Sequence, residues 1–162
     1  MTEQIKQIKT ITASDVGDFF LAKANSVGEP ITNLKLQKLV YYAQAWFLAN
    51  HHKPLFEDDF EAWVHGPVLP ELYHKYKERG SAPIVTDLKI NEVAEKFDGE
   101  TLEFLNEVAS VYMPHGAYQL ELMTHNEKPW IDARGGCELD AKCSTVISKS
   151  AMEEYYASQI KD

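Results

Sequence analysis

Histidines and carboxylates close together in the chain are the first residues here that could carry chemistry. His125 and Glu127 stand two apart in the run Thr124 to Trp130, a spacing that could serve a metal ion or a proton transfer. A zinc site needs further ligands at helical or turn spacing, such as a His-Glu-x-x-His run, and the sequence supplies none. The segment reads better as structure, with Thr124 as a cap and His125 and Glu127 fixing a turn ahead of Pro129 and Trp130. His65 ends an aromatic stretch just before Gly66-Pro67. As a general base it needs a nucleophile or carboxylate partner. Glu61 and Glu71 are near in sequence, but no serine or cysteine lies in the segment. His65 is therefore expected to hold the turn or to touch a partner. Cys137 and Cys143 lack the two-residue spacing of zinc sites, and two free thiols in a reducing cytosol are expected. The glycines fall at element boundaries rather than in a phosphate-cradling loop. No catalytic residue, metal or cofactor is expected, and the chain does not read as an enzyme.

Bulk properties point the same way. A chain of 162 residues fits one domain with a core of its own. Its hydrophobic share of 44 % and charged share of 25 % are those of an ordinary soluble protein. The net charge of −9 argues against broad nucleic-acid binding, which needs a field that neutralises phosphates, and favours basic partners. No apolar run approaches the roughly 18 residues needed to cross a bilayer. The first ten residues have no apolar core of a secretory signal. A cytoplasmic location with no membrane contact is expected.

The elements that must position these residues follow from periodicity. Thr12 and Asp15 have capping-box spacing ahead of Val16, Phe19 and Phe20, so a first helix runs to about Ser26, where Gly28 and Pro30 stop it. Thr32 or Asn33 caps a second helix whose core stripe is Leu36, Leu39, Val40, Ala43 and Phe47. Gln37, Tyr41 and Gln44 line one side of that stripe; Lys35, Lys38 and Tyr42 line the other. Leu55–Phe56 and Phe60–His65 suit two short strands or a hairpin ended by Gly66-Pro67. Pro67 or Pro70 opens a third helix through Leu72, Tyr73 and Tyr76, which stops at Gly80. Residues 84–90 read as a short strand or an extended connection. Further helices are expected from Gly99 through Tyr112, through Leu120 and Met123, from Pro129 through Ala133, and from Ser148 or Ser150 through Tyr156 and Ile160. The fold class is mainly α: a single compact helical domain over 13–162, with a small β-hairpin between the second and third helices and a tail over 1–12.

The densest run of informative residues is Thr32 to Gly80. Asn33-Leu34-Lys35-Leu36-Gln37-Lys38-Leu39 leads into Tyr41-Tyr42-Ala43. Phe60-Glu61-Ala62-Trp63, His65-Gly66-Pro67-Val68 and Pro70-Glu71-Leu72-Tyr73 follow, and Leu122 through Trp130 with Ala133-Arg134 extends the pattern. In these motifs the chain resembles the Panacea antitoxin domain, also described as SocA-like or phage-associated GepA-like. The resemblance implies a helical antitoxin of a bacterial or prophage toxin–antitoxin system. It implies a partner too, a protein toxin encoded in the same operon, either neutralised by direct contact or handed to a cellular protease.

Tyrosine, tryptophan and arginine dominate interface hot spots, whereas aromatics at helical spacing are more often core. Both readings are open for Tyr41, Tyr42, Trp63, Tyr73 and Tyr76. Joined to the resemblance, the partner-binding candidates are Lys35, Lys38, Tyr41, Tyr42, Trp63 and His65. The aromatics would serve as anchors, and the lysines, with the acidic loop Glu57-Asp58-Asp59, would orient the partner. The alternatives are a proteolytic adaptor or scaffold, a hydrolase using His65 or His125, and a nucleic-acid binder gathering Lys35, Lys38, Lys75, Lys77 and Arg79 on one face.

Overall fold

A computed structural model of the chain describes residues 10–160. Residues 1–9 of the expected tail, and the last two of the expected domain, lie outside the described residues. Helix α1 (Ala13–Ser26) begins at the capping box: Thr12 Oγ1 accepts from Asp15 N–H at 3.1 Å, and Thr12 N–H donates to Asp15 Oδ2 at 3.0 Å. Helix α2 (Asn33–His51) is capped by Thr32 and runs through the middle of the molecule, with α1 and the later helices packed around it. Its expected stripe is buried, but so are Gln37, Lys38, Tyr41, Tyr42 and Gln44. A helix buried over most of its surface must partner the polar groups it takes inside, and that demand organises everything downstream.

The helix ends at His52 in the left-handed conformation (φ 58°). Strand β1 (Phe60–Trp63) pairs antiparallel with β2 (Gly66–Val68), Glu61 opposite Val68 and Trp63 opposite Gly66. The alternation sets Phe60 and Ala62 in the core and leaves Glu61 and Trp63 half-exposed. Two expectations are corrected here. Leu55–Phe56 is a pinned loop rather than a strand, and Gly66-Pro67 begins the second strand instead of ending the hairpin. A further strand, β3 (Val146–Ile147), covers the other edge of β1, giving the order β2-β1-β3. Two residues carry too little alternation to be read from sequence.

Helix α3 (Pro70–Lys75) has Pro70 in its first turn, and a 3-10 turn at Lys77–Arg79 leads to Gly80. Of the two readings of 84–90 the connection holds: residues 84–89 have no regular structure, and the segment is held where Ile84 N–H donates to Ile31 O at 2.7 Å. Short helix α4 (Ile90–Ala94), which sequence periodicity missed, then packs on α1. Helices α5 (Gly99–Tyr112), α6 (Ala117–His125), α7 (Lys128–Arg134) and α8 (Lys149–Gln159) complete the chain, and α8 lies along α2. Ile160 falls beyond α8 and is exposed. Among the described residues no helix is long and apolar enough to cross a membrane.

Candidate functional site

The polar residues of α2 act first as clamps on backbone. Gln44 Nε2 donates to Phe56 O while its Oε1 accepts from Leu55 N–H, both at 2.7 Å. Gln37 Oε1 accepts from Leu69 N–H at 3.0 Å, and its Nε2 donates to Asn33 Oδ1. Asn33 Nδ2 in turn donates to Tyr73 O. The loop before β1 and the start of α3 are thereby fixed against one helix, and the β1–β2 turn between them has a rigid base.

Directly under that turn lies Lys38, buried, with Nζ donating to Pro67 O at 3.1 Å. Gly66 passes over it at φ 106°, where a Cβ would stand 2.5 Å from Lys38 Cε and 2.9 Å from Thr124 Oγ1. Among the described residues no carboxylate approaches Lys38 Nζ within 4.0 Å. Burial pushes its pKa down to about 7, with Glu121 opposing from a distance. An unfolded lysine keeps its proton to about 10.4. Between those values the unfolded chain binds a proton that the fold has released, so stability rises with pH. The expected gain from this group is about 2 kcal/mol between pH 7 and 9. Urea unfolding across that range should show the rise in the native chain and lose it in Lys38→Met. An unchanged slope would mean that Lys38 stays charged in the fold.

The second motif supplies the turn's flank. On α6, Glu121 pairs with His65 Nδ1 at 3.1 Å, and Thr124 is buried with its hydroxyl donating to Glu121 O. His125 stacks on Trp130, ring centroids 4.0 Å apart, and its burial lowers its pKa. Trp130 Nε1 donates to Trp63 O at 2.9 Å, which ties α7 to β1. Glu127 points elsewhere: it accepts from Tyr42 at 2.7 Å and Tyr156 at 2.8 Å, with Tyr41 Oη 3.2 Å from Tyr156 Oη. Burial raises the Glu127 pKa against the pull of the two phenols. The two histidines and Glu127 thus do not converge on one cleft. Among the described residues no group of three His, Cys, Asp or Glu side chains could hold a metal ion.

Arg134, buried at the end of α7, donates Nη1 to Ala62 O at 3.1 Å and Nη2 to Ala141 O at 2.9 Å, with Glu138 O also in contact. Its guanidinium lies 5.3 Å from the Trp130 ring. The segment after Gly135 curls around this cation, bringing the Cα atoms of Cys137 and Cys143 to 6.3 Å, within the reach of a disulfide, which they form. Two free thiols are therefore not what the structure holds. This loop, the β1–β2 turn and α3 enclose a mostly apolar concavity of about 670 Å³, with Trp63 and Tyr73 in edge-to-face contact at 5.1 Å on its wall.

The six partner-binding candidates divide sharply. Trp63 is half-exposed and His65 exposed, both at this concavity. Lys38, Tyr41 and Tyr42 are buried and cannot touch a partner directly, because α2 is covered on the faces that carry them. Tyr42 stacks on Tyr112 at 4.1 Å and belongs to the core. Lys35 is half-buried and donates to Met113 O at 2.7 Å, closing the C-terminal end of α5. The acidic loop is anchored as well, Lys149 Nζ reaching Glu57 O and Asp59 Oδ1. Tyr73, open to both readings in the sequence, stands on the wall of the concavity, and the loop over 135–143 enters the site without having been singled out for it. Glu121 did too, although its position four before His125 puts the two on one helix face.

The sequence model of the family described as "Antitoxin SocA-like, Panacea domain" matches residues 36–131, from the clamps of α2 to the Trp130 end of α7. A curated relative, "Antitoxin SocA" of Caulobacter vibrioides (strain NA1000 / CB15N), is 39 % identical over 77 residues, 48 % of this chain and 41 % of the relative. The chain thus spans less than half the length of that relative. No solved structure matches. The matched region holds the α2 clamps, the Trp63–Pro67 turn and the Thr124–Trp130 flank as one packed unit, and on that match the chain belongs to the SocA-like antitoxin family with a Panacea domain.

Proposed function

We propose that this chain is the antitoxin of a bacterial or prophage toxin–antitoxin pair and neutralises a toxin encoded beside it by direct protein contact. The observation that carries this reading is the likeness to Antitoxin SocA, at 39 % identity, within the family region. The arrangement of the site supports binding rather than catalysis. His65 is paired with Glu121, His125 is stacked, and Glu127 is engaged by two phenols. Beside these residues an aromatic-walled concavity on a rigid base is open to a partner, the form in which interface anchors work. The toxin is bound in the cytoplasm, and its active surface is occluded while the complex lasts.

The test is co-expression of the neighbouring open reading frame in a host cell with and without this chain. Growth arrest by the neighbour alone, relieved by this chain, together with co-purification of the two proteins, is expected. A neighbour that is harmless, or harmful and unaffected, would overturn the reading.

A further inference from the structure

The concavity beside the β1–β2 turn has a composition that specifies its occupant. Trp63 and Tyr73 form its aromatic wall, and Leu34, Val64 and Val68 extend the apolar surface. Next to it, in the loop that Arg134 gathers, Leu139 is 82 % exposed, the largest exposure among the big apolar side chains of the described residues. A concavity with a contiguous apolar and aromatic lining and a few polar groups at its edge is the kind of surface that receives a partner, and Leu139 extends its apolar character. Glu61 and Asp140 bring carboxylates to the lining, against one formal cation, Lys142, and the whole chain carries −9. Glu61 accepts from Trp63 Nε1 at 2.9 Å, which fixes both the indole and one carboxylate.

We propose that this concavity receives a cationic segment of the toxin, inserting an aliphatic or aromatic side chain against Trp63 and Tyr73 with a flanking lysine or arginine facing Glu61 and Asp140. The inference rests on the antitoxin reading and places its contact. The aromatic wall supplies most of the affinity, because fully desolvated aromatic anchors dominate interface energetics. The carboxylates choose a basic segment and speed its arrival. Leu139, the chain neighbour of the lining residue Asp140, is covered by the same segment. The loop that carries it is tied to Arg134 through Glu138 O and Ala141 O, so this wall is set before the partner arrives.

The experiment uses the purified full chain and the purified product of the neighbouring open reading frame, with affinity measured by calorimetry. Trp63→Ala is expected to weaken binding by about 30-fold or more, the factor that separates a hot spot from an ordinary contact. Leu139→Asp and Asp140→Lys, both at exposed positions and harmless to folding, should each weaken it by about 10-fold. Val111→Asp, on an exposed face of α5, should leave it unchanged. If Trp63→Ala fails to fold, the two loop variants decide the matter, with circular dichroism confirming that they are native. Native binding with all folded groove variants within twofold of it would overturn this site while leaving the antitoxin reading intact. No binding by the native chain would remove both.

Discussion

Replacing Gly66 by alanine is expected to destabilise the fold by about 3 kcal/mol or more, from two costs that add at one position. The backbone there sits at φ 106°, a conformation that L side chains rarely adopt. The new Cβ would also stand 2.5 Å from Lys38 Cε and 2.9 Å from Thr124 Oγ1. Neither neighbour can easily yield, since Lys38 is held by Pro67 O and Thr124 by Glu121 O. Urea denaturation gives the number directly, with the slope reporting whether the transition stays cooperative. A loss below about 1 kcal/mol would mean that the turn relaxes away from Lys38 at little cost, and the rigid base assigned to the site would be wrong.

Arg134→Ala is expected to cost a similar amount, about 3–5 kcal/mol, for a different reason. Here the loss is of a buried cation that satisfies carbonyls from β1 and from the loop over 138–141. Removing it strands those acceptors, leaves a void beside Trp130 and frees the loop that forms one wall of the concavity. Arg134→Lys should recover only part of the loss, because a single ammonium cannot reproduce the planar fork. Thermal and urea unfolding of the two variants check the order native, lysine, alanine. Equal stability of the lysine variant and the native chain would show that charge, not fork geometry, holds the loop.

The fold was legible where one chemical pattern repeats over several turns. The Thr12–Asp15 box, the stripe from Leu36 to Phe47 and the helix from Gly99 through Tyr112 all lie where periodicity put them. Short elements escaped. β3 has two residues and α4 five, and each exists because an exposed edge or face of a neighbour was there to be covered. The exposure of the motif aromatics was illegible for a related reason. Tyr41 and Tyr42 stand beside lysine and glutamine in the sequence, which looks like a helix surface. In the fold those polar neighbours are themselves buried, satisfied by Pro67 O, Phe56 O, Leu55 N–H and Leu69 N–H.

The candidate site was half readable. Trp63 and His65 come from the aromatic stretch and the His-Gly-Pro motif. In the fold, alternation puts Trp63 outward, and the two-residue turn Val64-His65, which the sequence reading places within the strand, carries His65. Tyr73 and the loop over 135–143 join them only through contacts across long stretches of chain, such as Trp130 Nε1 to Trp63 O and Arg134 to Ala62 O. The cysteine expectation failed in the same way. Spacing alone describes two thiols six positions apart, whereas the curl around Arg134 decides whether they meet.

The most direct measurement is inhibition of the purified toxin's own activity by this purified chain, titrated with no protease present. Stoichiometric loss of toxin activity, relieved by Trp63→Ala, is the expected result. Full toxin activity in the presence of excess folded chain would contradict neutralisation by direct contact.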